Sequence, residues 1–336
     1  MKKTIYIVIL ILILGGVAVF SSIRWGGQLS ELATETENVL VALKWVHQAQ
    51  FAGNYIAAEK GFYKEQGIKA SFIPYSENSK PIDSVVEGRA TFGITGADEL
   101  VLARQKGLPI KAFAVIYKTN PVAAYSLKKS GITKPQDFIG KTVGLERGVN
   151  VEYLYSAMMS KLQIDRTKIN EVSIGPTAAE LLSGETDVST GYVINEPHHV
   201  IAAGQDVNII LMADYGVNMY ADVLFATEKT IESKPEIVEK FLRGTLKGWQ
   251  YATENIEEAV DIVLQYATSS TESHEEYMLK ASLPLINDGE SPLGWMEKNK
   301  WIQVVAILQN QKILKENINA ADVYTAQFIN KIYNKY

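Results

Sequence analysis

The sequence predicts an α/β protein made of two successive strand–helix units followed by a helical tail. The chain has 336 residues, more than one hydrophobic core usually organises, so two bodies are expected. Hydrophobic residues make up 47% and charged residues 21%, the balance of a globular protein with a sizeable core. From Leu40 onward, short apolar runs alternate with helix-like stretches, the order that lays helices against sheets.

In the first unit, Leu40–Val46 reads as a strand and Phe51–Tyr63 as a helix with Gly61 near its end. Ile68–Ile73 alternates apolar residues, the period of a strand. Pro81–Glu87 is a helix, Ala90–Thr95 a strand, Ala97–Lys106 a helix and Lys111–Tyr117 a strand. The second unit repeats the order: strand Lys141–Leu145, helix Val149–Leu162, strand Glu171–Ile174, helix Thr177–Ser183, strand Asp187–Tyr192, helix Pro197–Ala203 and strand Val207–Met212. The tail is mainly helical. Ser233 is placed to cap a helix carrying Pro235 and Glu236 in its first turn and running to about Tyr251. Asn255 is placed to cap the next, and a last helix covers Ala321–Tyr333. The extended segments Ala123–Lys129 and Asp222–Thr227 flank the second unit and read as its connections to the first. The expected organisation is therefore a discontinuous first lobe (39–124 plus 223–336) around a continuous second lobe (125–222).

Ahead of this body, Lys2 and Lys3 precede an apolar run from Ile5 to Phe20, followed by Ser21 and Ser22. A basic start and an apolar stretch are the marks of a secretion signal, and Val19 and Ser21 are small enough for cleavage after Ser21. Spanning a bilayer takes about 20 residues, so residues 1–23 read equally as an uncleaved membrane anchor. Residues 24–38, polar and acidic, read as a tether. The chain has no cysteine, which excludes disulfides, cysteine–zinc sites and thiol nucleophiles. A net charge of -5 offers no basic footprint for nucleic acid.

Several stretches resemble one family in order: LKWVHQAQFAGNYIAAEKGFYKEQGIKASF (Leu43–Phe72), VVEGRATFGITGADELVLARQKGLPI (Val85–Ile110), ITKPQDFIGKTVG (Ile132–Gly144), TDVSTGYVINEP (Thr186–Pro197) and ADYGVNMYADVLFAT (Ala213–Thr227). They resemble the type II periplasmic binding proteins of the thiamine-pyrimidine-precursor, nitrate and alkanesulfonate group. The resemblance implies a two-lobed type II periplasmic-binding-protein fold with a hinge, a ligand held in the cleft, no cofactor, and an ABC permease and ATPase as partners of a monomeric subunit. Tyr192 followed by Glu196, inside YVINEP, is most similar to the branch that binds flat heteroaromatic ligands, in which such a tyrosine stacks on a pyrimidine and such a glutamate accepts hydrogen bonds from it. That branch has an aromatic and polar cluster after the first strand. Here the loop is His47, Gln48, Ala49, Gln50 and Phe51, with Phe51 standing nearest to the tryptophan expected there. The family also includes a eukaryotic pyrimidine synthase with a lysine-bound pyridoxal cofactor, a consumed histidine and a cysteine-rich motif. The absence of cysteine here argues against that enzymatic role.

The candidate residues each carry a second reading. Glu196 is a ligand acceptor or a helix-start acid favoured by the macrodipole, with Asn195 as the cap. Tyr192 is a stacking plane or a core tyrosine. Gln48 and Gln50 offer paired amides or make a solvated turn. Thr95–Gly96 is a place where backbone approaches a ligand, with Glu99 as a first-turn acid. Arg147 and Asn150 precede a helix start of the kind that holds an anion, or Asn150 only caps it. Tyr117, Asn120 and Pro121 end a strand near the hinge, and Asp214, Tyr215 and Tyr220 lie on the return path. His198 and His199 are adjacent, so their rings face different sides of a helix, and no metal site is expected. No nucleophile elbow, phosphate loop or dinucleotide fingerprint is present. The expected function is capture of a small flat heteroaromatic such as a thiamine pyrimidine precursor. Riboflavin, an anion such as nitrate or a sulfonate, a signalling sensor and a pyrimidine-synthesising enzyme are the alternatives.

Overall fold

The computed structural model describes residues 36–334. Its strands are β1 (Glu37–Ala42), β2 (Ile68–Ile73), β3 (Phe92–Thr95), β4 (Ile110–Tyr117), β5 (Val122–Leu127), β6 (Thr142–Leu145), β7 (Asn170–Ser173), β8 (Val188–Tyr192), β9 (Val207–Leu211) and β10 (Ala221–Thr227). They form two five-stranded sheets, ordered β2-β1-β3-β10-β4 and β7-β6-β8-β5-β9. In the first, β1 runs parallel to β2 and β3, while β10 is antiparallel to β3 and β4. In the second, β6 runs parallel to β7 and β8, while β5 is antiparallel to β8 and β9. The antiparallel strand of each sheet is thus the one that has just arrived from the other. The α/β expectation holds, with the same strand order in both bodies.

The helices are α1 (Ala52–Glu59), α2 (Phe62–Glu65), α3 (Pro81–Val86), α4 (Ala97–Gln105), α5 (Asn150–Lys161), α6 (Ala179–Ser183), α7 (Glu196–Ala202), α8 (Glu228–Ser233), α9 (Pro235–Glu254), α10 (Ile256–Tyr266), α11 (Glu272–Ile286), α12 (Lys298–Asn310) and α13 (Gln327–Ile332). Helix α9 lies directly on α1. A Cβ on Gly248 would sit 1.9 Å from the Gly53 carbonyl oxygen, and one on Gly53 would meet the Trp249 ring. The two glycines let the helix backbones touch, and Trp249 is buried between them. Helix α12 packs against both α4 and α5, so the tail leans on both bodies. Its Trp301 is fully buried, meeting Tyr220 edge-on at 5.5 Å and stacking on Tyr324.

Several expectations are corrected. Ala123–Lys129 and Asp222–Thr227 do not connect the bodies. Both stretches lie largely in inner strands, β5 and β10, each paired on two sides. The chain crosses instead at 118–121 and 212–220, where the Asn120 N–H donates to Asn218 Oδ1 at 2.8 Å and Asn218 Nδ2 donates to the Lys118 carbonyl at 3.2 Å. An apolar extended stretch has the same pattern inside a sheet as between sheets, so the crossings fall a few residues earlier than the sequence suggested. Glu37 and Asn38 pair with Ile68 and Lys69 in β1 and so belong to the sheet rather than to a tether; the readings of residues 1–35 lie outside the described residues. The helix expected over Phe51–Tyr63 breaks into a 3-10 turn, α1 and α2, with Gly61 at φ 76 between the helices. Ser233 ends α8, its hydroxyl donating to the Lys229 carbonyl, rather than capping α9. Asn255 donates back to the Tyr251 carbonyl and makes no cap bond. The final helix is a 3-10 turn at Ala320–Asp322 followed by α13.

Candidate ligand-binding site

The parallel strands of the two sheets point their carboxyl ends at one cleft. A cavity of about 310 Å³ lies there, within the range of small-molecule sites. The first sheet contributes Lys44, Trp45, Gln48 and Gln50 after β1, Tyr75 after β2, and Gly96, Asp98, Glu99 and Leu102 after β3. The second contributes Glu146, Gly148, Val149, Asn150 and Tyr153 after β6, Pro176 after β7, and Tyr192, Asn195 and Glu196 after β8. Ligands of open α/β sheets bind outside these strand ends because the loops there are free to vary while the strands hold them in place.

Glu196 is the first residue of α7 and is buried. Its Oε2 accepts from the Tyr192 N–H at 2.7 Å and its Oε1 from Asn195 Nδ2 at 2.9 Å. A carboxylate oxygen accepts two hydrogen bonds, so each keeps capacity for a ligand donor. Gly191 makes the seat: a Cβ there would lie 2.6 Å from Glu196 Oε2. Burial pushes the Glu196 carboxyl up from its ordinary value. Asn195 does not cap α7 through its side chain; that amide is committed to Glu196 and, through Oδ1, to His274. Glu196 thus sits at the helix start, its carboxylate reaching back to the turn while lining the cavity.

A lysine that the sequence reading passed over stands at the base. Lys44 Nζ lies 3.5 Å from Asp222 Oδ1 and donates to Tyr192 Oη at 3.4 Å. Burial alone disfavours its ammonium, but Tyr192, Asp222, Glu99 and Asp98 outweigh this and hold the amine above its ordinary range. Gln50 Nε2 donates to the same Asp222 oxygen at 2.8 Å, and Gln48 Nε2 donates to Gln50 Oε1 at 2.6 Å. Asn150 Nδ2 donates to Tyr192 Oη at 2.8 Å. Burial raises Asp98 to about 6, with Glu99 adding repulsion. Burial also raises Glu146, and the Glu196 charge adds to it. The cavity is therefore ringed by acceptors around one cation that is already paired.

Four aromatic rings face this polar array: Trp45 and Tyr75, stacked at 6.2 Å, and Tyr153 and Tyr192. Trp45, just ahead of the loop 47–51 where a tryptophan was expected, lines the cavity. Phe51, taken as its substitute, is fully buried in the core.

Of the candidate residues, Gln48, Gln50, Asn150, Tyr192, Asn195 and Glu196 meet at the cavity. The others lie elsewhere. Thr95 is buried beneath it, its hydroxyl donating to Glu99. Tyr117 is in the core and donates to Ser282 Oγ at 2.8 Å. Asn120 braces the crossing segments. Arg147 pairs with Glu152 at 2.6 Å and Glu171 at 3.6 Å, turned from the cavity. Asp214 and Tyr215 sit in the 3-10 turn after β9, and Tyr220 is buried and accepts from the Glu297 N–H at 2.8 Å. Among the described residues no group of three or more His, Asp or Glu is placed to hold a metal. No helix among them is long and apolar enough to cross a membrane.

The profile of one protein family, NMT1/THI5 like, matches residues 48–259. The chain belongs to the NMT1/THI5-like family. Relatives of this NMT1/THI5-like chain include a riboflavin-binding protein of Chloroflexus aurantiacus, 28% identical over 87% of this chain and 86% of the relative. A formylaminopyrimidine-binding protein of Halalkalibacterium halodurans is 26% identical over 86% and 90%. A 4-amino-5-hydroxymethyl-2-methylpyrimidine phosphate synthase of Legionella pneumophila is 25% identical over 87% and 92%. Among solved structures, the periplasmic aliphatic sulphonate binding protein SsuA of Escherichia coli superposes with a TM-score of 0.72 at 13% identity, over 86% of this chain and 92% of that one. At that identity the likeness is one of fold: the NMT1/THI5-like chain has the two-lobed periplasmic-binding-protein fold.

Proposed function

We propose that the chain is the extracytoplasmic solute-binding subunit of an ABC importer, capturing a flat heteroaromatic ligand whose edge is rich in hydrogen-bond donors. The observation that carries this is the facing of Trp45, Tyr75, Tyr153 and Tyr192 with the acceptors Asp98, Glu99, Glu146 and Glu196 around one cavity. Aromatic planes grip a flat ring, about 0.5–1.5 kcal/mol each beyond area burial. Carboxylates select amino and ring N–H donors over anions, because an added negative charge would face the existing ones in a partly desolvated site. An aminopyrimidine such as formylaminopyrimidine satisfies both demands, and a formylaminopyrimidine-binding protein is among the relatives. Riboflavin is the second reading, favoured by the 28% identical relative. The cavity of about 310 Å³ is near the small end of ligand sites, which suits one pyrimidine ring better than a three-ring flavin.

Binding rather than synthesis is supported by the two relatives named as binding proteins, 28% and 26% identical, and by the ion pairing of Lys44 with Asp222, which gives that lysine a structural role at the base of the cavity. Capture would close the two bodies over the ligand by engaging both at once, presenting the closed form to a permease. We infer that residues 1–23 deliver the body to the outer face of the membrane, as a cleaved signal or an anchor, and that the subunit acts as a monomer. Calorimetric titration with formylaminopyrimidine, riboflavin, nitrate and an alkanesulfonate tests the reading. Tightest binding of formylaminopyrimidine is expected, with no pyridoxal phosphate adduct in the absorption spectrum. Binding of an anion alone would sink it.

A further inference from the structure

Three of the chain's 4 histidines meet at the back of the cleft, where α11 of the first body packs on α7 of the second. His274 Nε2 lies 3.0 Å from Asn195 Oδ1, and His274 Nδ1 lies 2.9 Å from His198 Nδ1. His198 Nε2 lies 3.4 Å from Ser273 Oγ. The His199 ring stacks on His274 at 4.9 Å. With two neutral imidazoles, one arrangement of protons satisfies every contact. Asn195 donates its amide to Glu196, so its Oδ1 accepts and His274 Nε2 carries the proton. His274 Nδ1 then accepts, so His198 Nδ1 donates and His198 Nε2 accepts from the Ser273 hydroxyl. The line of hydrogen bonds runs from α11 through Asn195 to the Glu196 carboxylate in the cavity.

We propose that His274 and His198 are positioning residues: an imidazole relay from the first body that fixes Asn195, and through it the Glu196 carboxylate, in the orientation that accepts a ligand donor. The proposal rests on the reading of Glu196 as a ligand acceptor. Glu196 has two donors within the protein, the Tyr192 N–H and the Asn195 amide. The first belongs to its own turn; the second is held across the boundary between the bodies. The acceptor is thus fully oriented only while α7 and α11 are in contact. Tyr277 strengthens the same contact, donating from α11 to the Val193 carbonyl at 3.0 Å.

The test compares His274→Gln with His274→Leu in the full chain, titrated with formylaminopyrimidine. The glutamine amide reaches the position of Nε2 and keeps a donor for Asn195; leucine fills the space without one. Binding within about threefold of the parent is expected for His274→Gln and a loss of about tenfold or more for His274→Leu. Equal losses in the two variants, or none in His274→Leu, would overturn the relay. Long-range proton–nitrogen spectra of the ligand-free parent at neutral pH give an independent reading. They should show His274 neutral with its proton on Nε2 and His198 neutral with its proton on Nδ1; His274 protonated on Nδ1 would overturn the proposal whatever binds. Should formylaminopyrimidine fail to bind the parent, the heteroaromatic reading fails, and the spectra alone decide the relay.

Discussion

The Glu196 carboxylate owes its place to three neighbours that the sequence puts within five positions of it: Gly191 leaves the space, and the Tyr192 N–H and Asn195 amide hold the two oxygens. Replacing Glu196 with Gln keeps the shape but removes the charge. A hydrogen bond to a charged group contributes about 1.5–3 kcal/mol, so aminopyrimidine affinity should fall roughly 10- to 100-fold by calorimetry, with the melting temperature little changed. Gly191→Ala drives a methyl into the carboxylate and should weaken binding to a similar degree; unaltered affinity in that variant would mean the ligand does not depend on Glu196. At this scale the YVINEP motif was legible because a polar pair next to a strand end is compact in sequence. Trp45, Lys44 and Asp98 were not singled out. Each is an ordinary residue type with no local pattern, and each gains its role from a partner far along the chain, as Lys44 does from Asp222 and Tyr192.

Among the elements, the closest approach is that of α1 and α9. Gly248→Ala would place a methyl 1.9 Å from the Gly53 carbonyl oxygen, where only backbone movement can relieve it. Overpacking of this kind costs about 1–3 kcal/mol, so a clear drop in the thermal midpoint is expected, while a sheet-edge substitution such as Lys69→Ala should leave it in place. An unchanged midpoint in Gly248→Ala would mean the helices can separate freely. Strand and helix existence was legible over most of Leu40 to Met212, since each period of apolar residues is a local property, but β5 was read as a connection because an extended apolar stretch has the same pattern in either place. Element ends were less so. Ser233 and Asn255 carry capping side chains, yet their oxygen and nitrogen atoms turn to nearby carbonyls instead, a choice made by the packing of α8, α9 and α10 rather than by residue type.

For the molecule as a whole, opposed titrations shape stability against pH. Asp98 rises from 3.8 to about 6 on folding through burial, so its contribution is complete at low pH and is lost as the pH rises through about 6. Glu196 and Asp222 are raised by burial too and act in the same direction. His274 is lowered by burial from 6.5 to about 4, with His199 and His198 adding to the effect; its contribution is complete above pH 6.5 and is lost as the pH falls through about 4. Denaturant midpoints of the ligand-free chain between pH 4.5 and 7 should therefore decline more steeply with rising pH in His274→Gln than in the parent, and less steeply in Asp98→Asn. Equal slopes in the parent and both variants would mean these groups titrate as they do in water. A donor-rich ligand favours the ionised carboxylates, so its binding should strengthen as the pH rises through about 6 and release protons to the buffer.

The α/β class with its alternation of strands and helices was determined by the sequence itself, and the short motif around Glu196 was visible in it, because apolar periodicity and short-range spacing act between residues that are near neighbours in the chain. The crossing points at 118–121 and 212–220, the aromatic face containing Trp45, the Lys44–Asp222 pair and the histidine relay were decided only in the tertiary structure. Each depends on which strand ends face one another, and that is set when two sheets from distant parts of the chain pack around a shared tail.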